Sequence, residues 1–209
     1  LGQKIGREIL DGAQARIEAG GVANVTTRLR SGDIVETVAE LESDADMIVI
    51  GKRGEAADFA KLHLGSNLER IARSSQRPVF VSSRAFQPIN RFMIAFDGGV
   101  SSLKAVEHVS GSKLFAGLEC CLLMVGDDSD ENQKRMADAQ DVLEARSFVV
   151  DSKVVPGQAD QVIAKAVEEH DIDLLVMGAY GHSRIRNLII GSTTSEMVRS
   201  CKIPVVLVR

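Results

Sequence analysis

The sequence predicts an α/β protein built from two similar domains, each a doubly wound parallel sheet with helices on both faces. The first observation is a long-period repeat: Asp46–Gly54 (DMIVIGKRG) returns 127 residues later as Asp173–Gly181 (DLLVMGAYG). Solenoid repeats run about 20–50 residues, so this period indicates a duplicated domain. The second observation is that nearly continuous apolar strands alternate with amphipathic helices, as a sheet covered on both faces requires. The predicted domains are residues 1–84 and 91–209.

The second copy displays the full pattern, beginning with a short buried strand, Arg91–Phe96, that breaks at Asp97. Apolar residues at helical spacing follow at Leu103, Val106 and Val109 and predict a helix. Further strands are predicted at 118–125, 148–155, 173–177 and 204–208, and further helices over 130–146, around 162–167 and over 192–201. The first strand of a doubly wound sheet lies in its middle, so we expect Arg91–Phe96 at the centre.

The first copy repeats only the later part of this pattern. Its predicted elements are a helix over 1–18, a strand at 24–29, a helix over 34–41, a strand at 47–50, a helix over 66–75 and a strand at 78–81. Asp97 has no counterpart, because the position 126 residues earlier lies before residue 1. A sheet without its central strand leaves backbone groups unpaired. We therefore expect the opening β-α-β of this copy to precede residue 1, with completion by another chain as the alternative.

Composition and charge exclude several classes of protein. The net charge of −4 argues against a nucleic-acid-binding surface, which normally shows a basic excess. No apolar run reaches the roughly 18 residues that a membrane span needs, and no secretory signal is recognisable. Cys120, Cys121 and Cys201 form neither a disulfide framework nor a zinc motif, and are expected in the core. The sequence predicts a cytoplasmic protein that binds neither nucleic acid nor membrane.

The duplicated segment carries a glycine-spaced loop. In the second copy it reads Gly178-x2-Gly181-x9-Gly191-Ser192-Thr193, and it connects a strand end to a helix start. Open α/β sheets bind ligands at the carboxyl ends of their strands, and glycines let backbone approach them closely. The free N–H groups and the dipole of a helix N-terminus bind anions. The spacing therefore indicates a phosphate-binding loop.

Both loops also fit an interpretation without a ligand. Ser66 and Thr193 each precede a glutamate by three positions, which is the pattern of a helix capping box. Gly178 would then only end a strand. Basic residues in the loops would screen phosphate charge, although exposed loop charges are more often simply solvated. These residues are Lys52, Arg53, Lys61, His182, Arg184 and Arg186.

These residues resemble the universal stress protein family in its tandem two-domain form, over essentially the whole chain. The resemblance lies in the strand that runs into Asp97-Gly98, in the complete G-x2-G-x9-G-[ST] motif of the second copy and in the closing strand Pro204–Val208. It implies two Rossmann-like (adenine nucleotide alpha hydrolase-like) domains with five-stranded parallel sheets, of which residues 1–84 hold the first without its N-terminal β-α-β. It also implies an adenine nucleotide as partner, with ATP, alone or with Mg, as the expected cofactor.

The same resemblance assigns roles to individual residues. Asp97 would lie near the ribose and adenine, Val125 would meet adenine through its backbone, and Met177 would lie beside it. The residues that would hold the ribose and phosphates are Gly178, Gly181, Gly191, Ser192 and Thr193. The first copy has one extra loop residue and Asn67 in place of a hydroxyl, so its site is expected to be degenerate. That second site would comprise Gly51, Gly54, Gly65 and Ser66.

No residue pattern indicates an efficient enzyme. Gly-x-Ser-x-Gly is absent, no Walker lysine follows a glycine loop, and no serine near a loop stands at motif spacing from a histidine. Residues 97–102 resemble the Ser-Gly-Gly-x-Asp-Ser loop of ATP pyrophosphatases, but lack its leading Ser and internal Asp. The sequence predicts a stress-response module that binds ATP in domain 2 with little or no turnover. The alternatives are a scaffold that binds no nucleotide and a slow ATPase.

The last strand of each copy is expected at a sheet edge, and exposed edges pair with other strands. In members of the family that the chain resembles, these strands pair across a dimer. Here Pro78–Val81 and Pro204–Val208 are expected to pair with each other, so that domain 1 contacts domain 2. A second copy of the chain, forming a homodimer, is a further candidate partner.

Overall fold

A computed structural model describes residues 2–51, 66–83, 85–179, 194, 197–198 and 201–209. Its helices are α1 (Gly2–Ala19), α2 (Ile34–Leu41), α3 (Ser66–Ser74), α4 (Val100–Gly111), α5 (Asp130–Glu144) and α6 (Ala159–Glu169). Its strands are β1 (Ile48–Gly51), β2 (Val79–Ser82), β3 (Arg91–Phe96), β4 (Glu119–Val125), β5 (Val150–Val155), β6 (Leu174–Gly178) and β7 (Val205–Val208). Thr194, Met197 and Val198 are also helical. None of the described helices is both long and apolar enough to cross a membrane.

The seven described strands form one sheet, in the order β1-β2-β7-β6-β3-β4-β5. The five strands of the second half are parallel, and β3 lies in the middle between β4 and β6. The register is regular, since Ile94 of β3 pairs with Leu122 on one side and with Val176 on the other. The predicted α/β fold is confirmed, and the strand order reverses between β3 and β6.

The two halves of the chain join through their last strands. β2 pairs antiparallel with β7, with Val79 opposite Leu207 and Val81 opposite Val205. Within each half the neighbouring strands are parallel. The carboxyl ends of β1 and β2 therefore lie at the edge of the sheet opposite to the carboxyl ends of the second half.

Helices cover both faces of the sheet. α3 and α6 pack on one face with Met93 of β3, whereas α4 and α5 pack on the other face with Phe92 and Ile94. These three strand residues are completely buried, and burying a side chain of this kind contributes about 1.5–3 kcal/mol. Successive residues of β3 enter opposite cores, which explains why this strand is apolar throughout.

The predicted strand at 24–29 is wrong, because these residues form no strand. The equivalent segment of the second half is β5, which pairs along its length with β4, for example Val150 with Cys120. An extended segment needs such a neighbour to satisfy its backbone groups. Among the described residues of the first half, no strand corresponds to β4. The five-stranded sheet implied by the resemblance is therefore found in the second half, and the first half adds β1 and β2.

Helix α1 is present as predicted but buries none of its residues. Its equivalent in the second half, α5, buries Met136, Ala139 and Leu143. In α1 the apolar side chains stay accessible, and Ile9 is 56% exposed. In the described part of the chain α1 lies against the segment that follows it, where Leu29 Cδ1 is 2.8 Å from the point that a Cβ of Gly6 would occupy, rather than packing against the sheet.

The three cysteines are buried free thiols, as predicted. Burial raises the pKa of Cys120 to about 12. Burial also raises the pKa of the neighbouring Cys121. Because the thiolate is the reactive form of cysteine, both thiols act as small core side chains.

Candidate functional site

Three parallel strands of the second half end side by side at one edge of the sheet. Asp97 directly follows β3, Val125 ends β4 and Gly178 ends β6. Ala95, two residues before Asp97, lies opposite Met177 of β6. The strand order reverses here, and such a switch point is where open α/β sheets bind ligands. The structure thus brings the predicted residues Asp97, Val125, Met177 and Gly178 to one edge, which we call the switch-point crevice.

Asp97 is exposed, and its carboxylate organises the turn that follows β3. Its Oδ1 accepts hydrogen bonds from the Gly99 amide (2.8 Å) and from the Ser102 hydroxyl (2.6 Å). Its second oxygen, Oδ2, makes no hydrogen bond to any residue that the structure describes. The carboxylate is therefore fixed through one oxygen, and the other can accept hydrogen bonds from a ligand.

The turn between β3 and α4 requires Gly98, whose φ of +72° lies in the left-handed region. A Cβ at this position would also stand 2.9 Å from Cδ of Arg135, which projects from α5. The chain then enters α4, whose first turn buries Ser101 and Ser102. The result is a compact turn at the centre of the switch-point crevice.

Gly178 lies where the end of β6 meets the first turn of α4. A Cβ there would stand 2.7 Å from the Ser102 amide nitrogen and 2.8 Å from the Ser101 carbonyl carbon. Both neighbours are backbone atoms in a close-packed region, and these cannot yield without moving α4. Packing alone thus requires glycine at position 178. This is a structural reason for the residue that holds whether or not the crevice binds a ligand.

At the switch-point crevice, Val125 and Met177 are less exposed than Asp97. Met177 is 5% exposed and packs in the core. Val125 is half-buried, and the amide of the next residue, Gly126, donates to the Val155 carbonyl (3.0 Å). Any contact that these positions make with a ligand would come mainly from backbone atoms at the strand ends.

The patterns in the sequence did not single out an acidic loop after β4. Asp127 and Asp128 follow β4 after Gly126, and side-chain amides from the first turn of α5 hold them. Asn132 donates to the Asp127 carboxylate (2.8 Å), and Gln133 donates to the Asp128 carboxylate. The rule that functional residues follow strand ends would have identified both aspartates. They add negative charge to the edge that carries Asp97.

The structure places neither a metal-ligand cluster nor a histidine beside Asp97 among the described residues. Within the described part of the chain, no group of three His, Cys, Asp or Glu side chains is placed to hold a metal ion. His108 lies eight residues along α4 from its first residue, about 12 Å at the rise of an α-helix. It packs edge-on against Phe115, and burial lowers its pKa. His170 follows the C-terminus of α6, so both described histidines lie away from Asp97.

Several predicted residues lie outside the described part of the chain: Gly54, Gly65, Gly181, Gly191, Ser192 and Thr193. Two candidates of the first copy are described. Gly51 ends β1 opposite Ser82, and Ser66 begins α3. Because β2 and β7 are antiparallel, Gly51 lies at the sheet edge opposite to Asp97. The structure therefore keeps the candidates of the two copies apart.

Comparison with known proteins gives a consistent result. A model of the universal stress protein family matches residues 3–83 and 122–209. A universal stress protein of Synechocystis is 38% identical over 203 residues, which are 96% of this chain and 71% of that protein. A universal stress protein from Archaeoglobus fulgidus has a TM-score of 0.80 at 25% identity, over 99% of this chain and 79% of its own. A universal stress protein solved in complex with cAMP has a TM-score of 0.51 at 22% identity, over 59% of this chain and 98% of its own. The chain belongs to the universal stress protein family.

Proposed function

We propose that this chain is a cytoplasmic stress-response module that binds ATP in the switch-point crevice of its second half, with little or no turnover. One observation carries the proposal. Asp97 and Gly178 lie at the ends of neighbouring strands where the strand order reverses. Ser102 of α4 donates to the Asp97 carboxylate, and its amide nitrogen lies 2.7 Å from the point that a Cβ of Gly178 would occupy. A carboxylate acceptor beside a strand end that lacks a side chain suits a nucleoside, whose ribose offers hydroxyl donors. Membership of the universal stress protein family supports the same function.

The described residues fit the nucleoside part of ATP. Oδ2 of Asp97 would accept a hydrogen bond from a ribose hydroxyl, and the backbone at Val125 would pair with the edge of adenine. The phosphates would lie against Gly178 and the loop that follows it, through the N–H groups of Gly181, Gly191, Ser192 and Thr193. Mg²⁺, where present, would be held chiefly by the phosphates and water, as is usual for this ion.

We infer low turnover from the sequence, in which no Walker lysine follows a glycine loop, together with the positions of the described acid–base groups. Phosphoryl transfer relies on cations that stabilise charge and on a group that orients the attacking water. Oδ1 of Asp97 is engaged by Gly99 and Ser102, and His108 lies toward the far end of α4. We therefore propose that ATP is bound and released rather than hydrolysed. The candidate site of the first half would be weaker, since its loop has one extra residue and Asn67 in place of a hydroxyl.

Isothermal titration calorimetry with the full chain tests the proposal. The ligands are ATP, AMP, GTP and cAMP, the last because one solved universal stress protein is a complex with cAMP. Asp97→Asn removes a charged hydrogen-bond acceptor and should weaken ATP binding roughly 10–100-fold. Asp138→Asn is the matched control, because Asp138 is an exposed carboxylate of α5 that pairs with Lys134 (2.8 Å).

Two results would contradict the proposal. Wild-type affinity for ATP weaker than about 1 mM, or about −4 kcal/mol, would favour a scaffold that binds no nucleotide. Steady phosphate release from ATP that disappears in Gly181→Val would instead show a slow ATPase. Both measurements use the same purified chain, and mass spectrometry of that preparation would reveal nucleotide retained from the cell.

A further inference from the structure

Arg135 of α5 lies against the turn at the centre of the switch-point crevice. Its Cδ, Nη1 and Nε stand 2.9, 3.4 and 3.6 Å from the point that a Cβ of Gly98 would occupy. The guanidinium therefore rests on the glycine that follows Asp97. Any side chain at position 98 would displace it, so the missing side chain of Gly98 makes room for Arg135 as well as allowing the positive φ.

An ion pair within α5 holds the guanidinium in this place. Nη2 of Arg135 lies 2.5 Å from Oε1 of Glu131, one turn earlier in the helix, and the two side chains are 47% and 74% exposed. Exposed pairs at this spacing contribute only a few tenths of a kcal/mol to stability. The pair therefore matters for the position of Arg135 more than for the stability of the fold.

The charges around Arg135 indicate which part of a nucleotide it would face. The ends of β3 and β4 and the first turn of α5 carry the carboxylates of Asp97, Asp127, Asp128 and Glu131. Phosphate groups would be repelled by this acidic side of the crevice, whereas an uncharged base and ribose would not. A nucleotide would thus direct its phosphates toward the end of β6 and its nucleoside toward β4 and α5.

We propose that Arg135 covers the base and ribose of the bound nucleotide and contributes affinity through the nucleoside rather than the phosphates. The inference rests on the proposed function, that the crevice binds an adenine nucleotide. A guanidinium is planar, weakly hydrated and stacks on aromatic faces, so it suits a purine. Its position on Gly98 places it next to Asp97, the acceptor proposed for the ribose.

Calorimetry of the full chain with adenosine, ATP and tripolyphosphate tests this assignment. Arg135→Ala should weaken the binding of adenosine and of ATP by the same factor, roughly 3–10-fold, and leave tripolyphosphate binding unchanged. Arg135→Lys keeps the charge but not the planar face, and should behave like Arg135→Ala. Lys134→Ala is the control, since it removes an adjacent exposed cation of the same helix, paired with Asp138.

Each other outcome has a definite meaning. Wild-type affinity for adenosine in Arg135→Ala would overturn the inference, and so would a loss limited to ATP and tripolyphosphate. Full rescue by Arg135→Lys would overturn the stacking argument. A wild-type chain that binds neither adenosine nor ATP would overturn the proposed function and this inference with it. Unchanged urea midpoints in both variants would show that the losses do not arise from unfolding.

Discussion

Gly178→Ala adds one methyl group where the end of β6 meets the first turn of α4. The new carbon would stand 2.7 Å from the Ser102 nitrogen, 2.8 Å from the Ser101 carbonyl carbon and 2.9 Å from the Ser101 hydroxyl oxygen. The first two neighbours are backbone atoms, so the clash is relieved only if β6 and α4 separate. Inserting a methylene or methyl into a packed region costs about 1–3 kcal/mol. We expect the upper part of that range, about 2–3 kcal/mol.

Urea unfolding followed by circular dichroism measures this loss. Thermal unfolding measures the same loss as a change in Tm. In a chain of 209 residues, each kcal/mol corresponds to a shift of about 2–4 °C in Tm, so the Tm of Gly178→Ala should fall by roughly 4–12 °C. Gly111→Ala is the matched control, because a Cβ at Gly111, the last residue of α4, meets nothing within 4 Å. Alanine is a better helix former than glycine, so the control should be neutral or slightly stabilising.

Surface substitutions usually change the free energy of unfolding by less than about 0.5 kcal/mol. A change that small in Gly178→Ala would refute the claim that Gly178 packs tightly against the backbone of α4. The same variant separates two roles of Gly178. If the residue serves packing alone, ATP affinity should recover once the altered protein is stabilised by low temperature or osmolyte. If the backbone at Gly178 also contacts the nucleotide, the loss of affinity should persist under those conditions.

Three further predictions concern titrating groups. Burial lowers the pKa of His108, so the unfolded chain binds this proton more tightly. The free energy of unfolding should fall as the pH drops through about 6.5, and urea midpoints should show a smaller slope in His108→Leu. Cys120, with a pKa raised by burial to about 12, should react with iodoacetamide only after unfolding; rapid labelling of the folded chain would contradict its burial. Arg70 donates to Asp33 (2.6 Å) and lowers the pKa of that carboxyl. The resulting stabilisation is present above about pH 3.8 and is lost as the pH falls through the folded-state pKa, and Arg70→Ala should raise the Asp33 pKa in an NMR titration.

The sequence predicts the second half of the fold well because its strands are buried on both faces. Such strands read as continuous apolar runs, and β3 was predicted with its observed bounds, Arg91–Phe96. The strand predicted at 24–29 is absent, because strand formation there depends on a neighbouring strand rather than on the segment itself. The sequence also predicts helix α1 from its apolar spacing but not whether that helix is buried. Burial requires another element for its apolar face to pack against, and α1 buries none of its residues.

Some residues of the candidate site can be predicted from a sequence pattern, and others cannot. Asp97 and Gly178 are recognisable because each ends an apolar strand, and glycine spacing draws attention to the second. Arg135 carries no such signal, since it is one of many charged residues on the polar side of the helix over 130–144. Its contact with Gly98 follows from the way α5 packs against α4 and β5, and no local pattern encodes that geometry. The acidic residues after β4 could have been found by applying the strand-end rule to every strand.

The antiparallel join between β2 and β7 decides how the two halves can influence each other. β7 also pairs with β6, and Gly178 at the rim of the crevice lies opposite Val208. Arg209, the next residue, donates from Nη1 to the Arg73 carbonyl of α3 (2.5 Å). A ligand at Gly178 is thus two strands away from the first half. Because the strand ends of the two halves lie at opposite edges, bound ligands would not touch. Coupling between them would need an element with two arrangements. The second half is therefore expected to bind its ligand independently of the first.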